Sequence, residues 1–322
     1  MVVLIHQFVH HPLHLQLSPP SLRTTSSRIR TSIISSSSSS SSSSMDPQIN
    51  RPSSRFLEFP HLSTSHRNLM LDLVSTMETT LSSHLLPSSL PPDIQYFQNQ
   101  SATSQGSLHI RSGNENSLVD CILGSWIHCE LPTGGALDIT TLTAYLNTKT
   151  DSPRFLIEFL QSSPKSLILL LDLPPRKDLV INPDYLKTFY QETHLEEQRK
   201  KLQNVTEIKP YISSSLYIRC LLSPTAITVT VDSEAGGPIR MEEIIRDHVG
   251  PVAKDMLEIW LNQCVSCGGR EMEESEKVEL EKRDILIKKK TVEMDLASSL
   301  PRLFGEDVAS RVIKAIEKAF HI

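Results

Sequence analysis

The sequence predicts an α/β domain in which helices accompany a largely antiparallel β-sheet. The clearest observation is the stretch from Pro153 to Asp178, where two apolar runs of strand length, Phe155 to Leu160 and Leu167 to Leu171, are joined by a Ser-Ser-Pro-Lys turn. Short β-rich runs separated by turn residues also occupy 107–146 and 215–233. Segments with apolar residues at helical spacing precede and follow these runs. Short connections between successive strands favour antiparallel pairing.

Glu158 lies in the middle of the first strand of this hairpin. The period of two places Glu158 on one face with Leu156 and Leu160, so an ionisable group stands between apolar neighbours. Burial disfavours the charged form of a carboxyl group and raises its pKa, which makes a glutamic acid a proton donor near neutral pH. The residues leave one alternative open, an edge-strand glutamate whose face meets solvent.

Bulk properties indicate a soluble globular protein in a reducing compartment. The chain has 322 residues, of which 39% are hydrophobic and 21% charged, and residues 46–322 are expected to form a single domain. No apolar run approaches the roughly 18 residues that a membrane helix requires. Five scattered cysteines do not suit a disulfide framework. Cys264 and Cys267 have the spacing of a dithiol redox pair, or are an incidental pair at a helix end.

The first 45 residues differ in composition from the rest. They contain Arg23, Arg28, Arg30, a serine tract from Ser35 to Ser44, and neither Asp nor Glu. We therefore predict that residues 1–45 are a chloroplast transit peptide, with mitochondrial delivery as a further destination and a merely disordered N-terminus as the alternative. The whole chain carries a net charge of −5, and removal of these three arginines leaves −8. An acidic body argues against a nucleic-acid partner.

The first half of the domain begins with a helix and continues with strands. A helix is predicted from Ser65 to Leu86, where Pro87 stops it. Strands are predicted at 107–111 and, as one bent strand or two, at 117–131 with Gly124 as a bulge. Gly134 and Gly135 predict a turn before a Thr-rich strand that ends near residue 146.

His109 and Arg111 share one face of their predicted strand. A cationic pair of this kind holds a carboxylate of a substrate, or it is the solvated face of an antiparallel strand.

The second half is predicted to contain more helix. A helix starts at Asn182 with Pro183 in its first turn, and two strands at 215–223 and 225–233 form a hairpin around Pro224. An amphipathic helix covers 241–264 and is interrupted or bent at Pro251. The charge-dense segment 270–290 is predicted to be an exposed helix or arm. The last helix carries an apolar stripe of core residues, which are Val308, Val312, Ile316, Ala319 and Phe320.

Several segments closely resemble the red chlorophyll catabolite reductase family of plants, over about Phe56 to Phe320. They are Ser107 to Gly113, Gly124 to Cys129, Ile157 to Leu186, the YIS and SLYIR segments at 211–219, Arg246 to Asp255, and Pro301 to Val312. The chain has no glycine-rich dinucleotide fingerprint and no phosphate loop. If the chain is a redox enzyme, its electrons therefore come from outside.

The resemblance implies an α/β/α sandwich related to the ferredoxin-dependent bilin reductases, with a central, largely antiparallel β-sheet flanked by helices on both faces. It also implies an open-chain tetrapyrrole substrate from chlorophyll breakdown, in which one carbon-carbon double bond is reduced to give the primary fluorescent catabolite. The implied electron donor is reduced ferredoxin, with no cofactor bound to the chain itself. The same resemblance implies a homodimer and a place in the chloroplast stroma or at the thylakoid. It leaves open an association with pheophorbide a oxygenase and other chlorophyll-catabolic enzymes.

The resemblance assigns the site residues segment by segment. The proton-handling carboxylates fall on Glu158, which alternation had already singled out, and on Asp295. Substrate contacts carry over to the segment Tyr211, Ile212 and Ser213, and the position that governs product stereochemistry falls on Leu222.

Ferredoxin is acidic, so its docking on an acidic chain needs a local basic patch. The candidates are Arg199 to Lys201 and Lys288 to Lys290. Two rival functions are a tetrapyrrole-binding protein that shields its pigment without reducing it, and a reductase of another linear tetrapyrrole.

Overall fold

The apolar hairpin forms the middle of an eight-stranded sheet. The structure is a computed structural model that describes residues 55–132, 134–266 and 272–322. The predicted transit peptide and Cys267 of the predicted cysteine pair lie outside the described residues. Every pair of neighbouring strands is antiparallel, in the order β1-β2-β3-β4-β5-β6-β8-β7. The strands are β1 Tyr96–Gln98, β2 Ser104–Ser112, β3 Val119–Glu130, β4 Ala136–Leu146, β5 Phe155–Ser163, β6 Ser166–Asp172, β7 Ile208–Pro210 and β8 Ile227–Asp232.

Helices fill most of the remaining described chain. Four π-helical turns extend or join them in the described ranges, at Lys187–Gln191, Ile245–Val249, Trp260–Ser266 and Val292–Leu296. The α-helices are α1 Thr64–Thr80, α2 Pro92–Gln95, α3 Pro183–Leu186, α4 Leu195–Gln203, α5 Leu216–Leu221, α6 Gly237–Ile244, α7 Gly250–Ile259, α8 Glu274–Thr291, α9 Ala297–Phe304 and α10 Glu306–Phe320. Short 3-10 turns lie at Phe56–Glu58 and Ser82–His84.

The sheet buries both of its faces, each in its own apolar cluster. On one side, which we call the α1 face, helices α1, α4, α6 and α7 cover strand residues such as Trp126 and Phe159. On the other, the α10 face, helices α5, α9 and α10 cover strand residues such as Leu160 and Leu170. Helices therefore flank the antiparallel sheet on both sides, and the predicted α/β/α sandwich is confirmed.

The predicted strand at 215–223 is wrong, because most of that segment forms helix α5. Ser215 caps the helix, and its hydroxyl accepts a hydrogen bond from the amide of Ile218. The predicted partner strand exists as β8, but β8 is paired with β6 on one edge and with β7 on the other. No edge of β8 remains to which 215–223 could add a strand.

Gly124 is not a bulge, since the register shift of β3 lies between Val119 and Cys121. The glycine serves a close approach instead, because a Cβ atom there would lie 2.5 Å from Cζ of Phe56. Gly134 and Gly135 do form the predicted turn, with φ angles of +85° and +82°.

The long helix predicted at 241–264 is present as a continuous run of helical segments. Two π-helical turns interrupt the α-helical run, Ile245–Val249 just before Pro251 and Trp260–Ser266 at its end. The first helix also ends earlier than predicted, at Thr80, and a 3-10 turn follows it.

Residues 274–290 of the charged segment 270–290 belong to α8, and one side of that helix is buried rather than exposed. Asp284 forms an ion pair with the buried Arg176, and Lys288 forms one of 2.5 Å with Asp120. The charged residues of this segment therefore attach the helix to the sheet. No helix in the described ranges has the length and apolar character that crossing a bilayer requires.

Candidate active site

Glu158 lies on the central strand β5 and is 0% exposed. Its direct neighbours across the sheet are Thr141 on β4 and Leu170 on β6. Leu170 belongs to the apolar cluster of the α10 face, so Glu158 points into that layer as well. The alternative of a solvent-facing edge-strand glutamate is therefore wrong.

A row of polar side chains crosses the sheet beside Glu158. Ser125 on β3 is paired with Thr141, which is paired with Glu158, so the three side chains share the α10 face. The hydroxyls of Ser125 and Thr141 are buried and have no hydrogen-bond partner among the described residues. A buried polar group without a partner costs about 1–3 kcal/mol. Groups of this kind are suited to bind the polar atoms of a ligand.

Asp295 lies in the layer of helices that covers this face. It belongs to the π-helical turn Val292–Leu296 between α8 and α9, where it is buried between two residues of the α10-face cluster. A π-helical turn inserts one residue into a helix and often marks a functional site. The two predicted proton-handling carboxylates are thus both buried, Glu158 on the α10 face of the sheet and Asp295 in the helical layer that covers this face.

The predicted substrate-contact segment follows strand β7. The amide of Tyr211 donates to the carbonyl of Thr228, and its side chain packs against the α10-face cluster. Burial and the charge of Glu158 raise the pKa of Tyr211, so its hydroxyl is within electrostatic reach of that carboxylate. Ser213 is buried and its hydroxyl accepts from the amide of Ser215, whereas Ile212 is 74% exposed. Glu158 and Tyr211 are thus close together, and the side chain of Ile212 lies in solvent.

Leu222 lines a cavity of about 40 Å³ between the sheet and its cover. The sheet side of the cavity includes Thr143 and Leu156, which are two residues along their strands from Thr141 and Glu158. Two residues of strand span about 7 Å. The cavity is therefore adjacent to the polar row, and the residue predicted to govern stereochemistry forms part of its wall.

Asp172 fixes that wall to the sheet. Its carboxylate accepts hydrogen bonds from the amide (2.9 Å) and the hydroxyl (2.5 Å) of Ser223, which directly follows Leu222. Burial raises the pKa of Asp172 to about 6, although the bonds from Ser223 oppose the rise. Sequence reasoning missed this residue, whose only signal was an acid at the end of an apolar strand.

Arg154 is a second residue that sequence reasoning missed. It lines the same cavity, is buried, and its guanidinium lies 5.6 Å from the centre of the Tyr145 ring. Its Nε atom has no hydrogen-bond partner in the described part of the chain. The only sequence signal was an arginine directly before an apolar strand.

Both interpretations of His109 and Arg111 are wrong. The two side chains are buried on the α1 face, where Glu78 of helix α1 accepts from His109 Nε2 (2.8 Å) and from Arg111 Nη1 (3.1 Å). The carboxylate that His109 and Arg111 bind is thus that of Glu78, not that of a substrate. The sequence separation of about 30 residues from Glu78 concealed the pairing.

Two wider grooves lie away from this constellation. One of about 640 Å³ runs beside α4 and α7, and one of about 1010 Å³ lies between the β1–β2 turn and the α9–α10 junction. Neither is lined by Glu158, Asp295 or Tyr211. The buried polar row with its adjoining cavity is therefore the better candidate for an active site.

Comparison with known proteins places the chain among plant reductases. A family model described as red chlorophyll catabolite reductase (RCC reductase) matches residues 65–318. The chloroplastic red chlorophyll catabolite reductase of Arabidopsis thaliana is 47% identical over 281 residues, which cover 87% of this chain and 88% of the relative. The chloroplastic red chlorophyll catabolite reductase 1 of Oryza sativa subsp. japonica is 43% identical, with 81% and 79% covered.

A solved structure is also similar in fold. Phytochromobilin synthase from tomato, in complex with biliverdin, superposes with a TM-score of 0.61 at 18% sequence identity. The match covers 80% of this chain and 84% of the synthase. At that identity the likeness speaks for the fold alone.

Proposed function

The chain belongs to the red chlorophyll catabolite reductase family, so it is an enzyme of chlorophyll breakdown, and we propose that it reduces its tetrapyrrole substrate on the α10 face of the sheet. The reaction converts one carbon-carbon double bond of the linear pigment into a single bond. It consumes two electrons and two protons. The pigment accepts the electrons, and the protein supplies orientation, exclusion of water and protons.

The observation that carries this proposal is the position of Glu158. Its carboxyl group is fully shielded from solvent on the central strand, close to the hydroxyl of Tyr211 and beside two hydroxyls without partners in the described chain. We propose that Glu158 delivers one proton to the pigment. Asp295, in the helical layer that covers the α10 face, delivers the second or holds a pyrrole nitrogen. Tyr211, Ile212 and Ser213 contact the substrate, Ile212 from the rim.

Binding requires the cover of the α10 face to open. A cavity of about 40 Å³ is far smaller than a four-ring pigment. The cover includes the six-residue helix α5, on which Leu216 is 70% exposed and Arg219 and Cys220 also face solvent. We propose that α5 and the following Leu222 move away from the sheet to admit the substrate.

We propose that the electrons come singly from reduced ferredoxin, which docks beside this cover. Of the predicted basic patch at 288–290, Lys288 is buried in its ion pair, but Lys289 is exposed and Lys290 half-buried. Lys290 is within electrostatic reach of Tyr217 on α5. In each patch two of the three charges are paired, Lys288 with Asp120 and Lys290 with Glu293 in one, Arg199 and Lys200 with Glu196 in the other. The alternative patch, Arg199 to Lys201, belongs to α4 on the α1 face, whereas Lys289 and Lys290 lie near α5, so the patch near α5 is the better candidate.

A pair of double charge reversals tests the docking site. Lys289→Glu with Lys290→Glu should slow reduction at low salt by at least about tenfold under limiting ferredoxin, and the native rate should fall with ionic strength. Lys200→Glu with Lys201→Glu is the matched control on the other face. Equal effects of the two double variants would contradict the assignment.

Leu222 is proposed to determine which face of the double bond receives hydrogen. Leu222→Val and Leu222→Phe change the volume of the cavity wall in opposite directions and should shift the epimer ratio of the product, as measured by chromatography. An unchanged ratio in both variants would remove Leu222 from this role.

The relatives from Arabidopsis and rice are named chloroplastic. We propose that this chain is also delivered to the chloroplast, through residues 1–45. Assembly as a homodimer, delivery to mitochondria and contact with pheophorbide a oxygenase remain predictions from the sequence.

Product analysis tests the proposed function as a whole. The purified chain, reduced ferredoxin and red chlorophyll catabolite should yield a product that loses the red absorbance and gains blue fluorescence. A pigment-shielding protein would bind the catabolite without bleaching it. A reductase of another linear tetrapyrrole would bleach biliverdin in preference to the catabolite. Either of these results would overturn the proposal.

A further inference from the structure

Arg154 differs from the other buried arginines of the described chain. Arg176 donates to both oxygens of Asp284 and to the carbonyls of Thr150 and Asn147. Arg111 donates to Glu78 and to the carbonyl of Leu86. Arg154 is 6% exposed, yet the structure gives its side chain neither a hydrogen bond nor an ion pair with any described residue. Its guanidinium carbon lies 5.6 Å from the centre of the Tyr145 ring.

A guanidinium in this position is costly without an anion. It carries five N–H donors in a fixed planar fork, and removal of a charged group from water costs several kcal/mol unless the charge is paired. Tyr145 interacts with the cation through its ring and leaves the N–H edge unoccupied. The contact with the ring therefore does not satisfy the donors of the guanidinium.

The nearest acid does not satisfy these donors either. Asp172 is within electrostatic reach of Arg154, but its carboxylate accepts from the amide and hydroxyl of Ser223 instead. The positive charge of Arg154 is therefore compensated in part, while its hydrogen-bonding edge remains available in a cavity that Thr143 and Leu156 also line. Such an edge matches the two oxygens of a carboxylate.

We propose that Arg154 binds a carboxylate side chain of the tetrapyrrole and so sets the position of the pigment along the sheet. This inference rests on the proposed function. Arg154 precedes Glu158 by four residues on the same extended segment, which corresponds to about 13 Å. An extended pigment of four linked rings spans that separation, so one end is anchored while the reacting bond lies beside Glu158. Arg154 is then a substrate-binding residue and takes no part in proton transfer.

Binding of the pigment without any electron donor gives a direct test. The probes are red chlorophyll catabolite as the free acid and the same pigment with its carboxylic side chain methylated, and the change in pigment absorbance gives each Kd. The native protein should bind the free acid roughly 10- to 150-fold more tightly than the ester, which is the range expected for a charge-assisted hydrogen bond. Equal affinity for acid and ester would overturn the inference.

Three variants identify the residue responsible. Arg154→Met should weaken binding of the free acid roughly 10- to 150-fold and leave binding of the ester unchanged. The preference for the acid over the ester should therefore disappear. Arg154→Lys should retain part of that preference. Arg302→Met, at an exposed arginine of α9, is the matched control. Persistence of the preference in Arg154→Met, or an equal loss for acid and ester, would contradict the role. The comparison of acid and ester on the native protein remains decisive even if Arg154→Met fails to fold.

Turnover separates this inference from the proposed function. With reduced ferredoxin, Arg154→Met should raise KM for the free acid and leave kcat within about threefold of the native value, since Arg154 does not touch the reacting bond. Acid-selective binding without any bleaching by the native protein would overturn the proposed function and leave the Arg154 site standing. Bleaching of acid and ester with equal KM would overturn the Arg154 inference and leave the proposed function standing.

Discussion

Thr140 and Thr141 are neighbours on strand β4, and both side chains are fully buried, but they meet different surroundings. Thr140 points into the α1 face, where its hydroxyl is hydrogen-bonded to His66 Nε2 at 2.9 Å. Thr141 points into the α10 face, where its hydroxyl has no partner in the described chain. The same residue type, one position apart, is thus satisfied on one face of the sheet and unsatisfied on the other.

The difference extends beyond these two threonines. On the α1 face, Glu78 binds His109 and Arg111, and the indole of Trp126 donates to the carbonyl of Phe56. The exceptions there are His66 Nδ1 and Gln263 Oε1. On the α10 face, Ser125, Thr141, Arg154 and Tyr217 each have a buried polar atom without a hydrogen-bond partner in the described chain, and Arg283 of α8 has another. Natural cores rarely leave such groups unpaired, so their concentration on one face indicates a binding surface.

Glu158→Gln should give the largest effect, a loss of turnover without a loss of stability. This is the result expected of a residue on the substrate-binding face of the sheet. A general acid contributes roughly 10²- to 10⁴-fold to a rate, so kcat for pigment reduction should fall by about that factor. The side chain keeps its shape, and the melting temperature should change little. Rates are measured with reduced ferredoxin in excess. Nearly normal turnover would exclude Glu158 as a proton donor.

Glu78→Gln is the counterpart on the α1 face, and it should lower stability while leaving turnover nearly unchanged. It leaves the buried His109 and Arg111 without their anion, and loss of one partner from a buried charge pair costs about 3–5 kcal/mol. The free energy of unfolding should fall by about that amount, as measured by urea titration. Turnover below the unfolding temperature should remain close to native. A large loss of kcat without a loss of stability would show that the α1 face also takes part in catalysis.

The sequence predicted the elements whose pattern is local and missed the contacts that depend on other elements. The apolar run around Glu158 was sufficient to predict a strand with one carboxyl group, but the residues alone left open whether that group is buried or meets solvent. The segment 215–223 also has apolar residues of β type, but both edges of β8 are paired with other strands and Ser215 caps a helix there. The burial of Arg154 depends on Tyr145, and that of Asp172 depends on Ser223, neither of which is adjacent in sequence. Propensity carries no information about such pairings.

The pH dependence of stability should have opposite signs for the two faces. The pKa of Asp172 is about 6 in the folded chain because burial raises it from 3.8. The folded state therefore binds the proton more tightly, and this group's contribution to stability is full below about pH 4 and is lost as pH rises through 6. A shift of this size corresponds to about 3 kcal/mol. Relative to Asp172→Asn, the native chain should gain stability as pH falls from 7 to 4.5.

Glu78 should behave in the reverse direction. Burial alone would raise its pKa, but the hydrogen bond and charge of His109, together with Arg111, bring it below the usual value. Its contribution is therefore full above about pH 4.5 and is lost as pH falls through the lowered pKa. Relative to Glu78→Gln, the native chain should lose stability in acid. Urea titrations of the native chain and both variants between pH 3.5 and 7 check the two signs, and parallel curves would contradict them.

The smallest predicted effects come from removing one hydroxyl group on each face of the sheet. Thr140→Val removes the hydroxyl that is bonded to His66, leaves that ring nitrogen unpaired, and should destabilise the fold by about 1–2 kcal/mol. Thr141→Val removes a hydroxyl that has no partner in the described chain, so stability should be unchanged or higher by up to about 1 kcal/mol. Thr141→Val should, however, weaken pigment binding by about 3- to 10-fold, because the pigment loses one hydrogen bond. Thr140→Val should leave pigment binding unchanged. If Thr141→Val destabilised the fold as much as Thr140→Val, the Thr141 hydroxyl would have a structural hydrogen-bond partner. The polar groups of the α10 face would then be satisfied within the protein, like those of the α1 face.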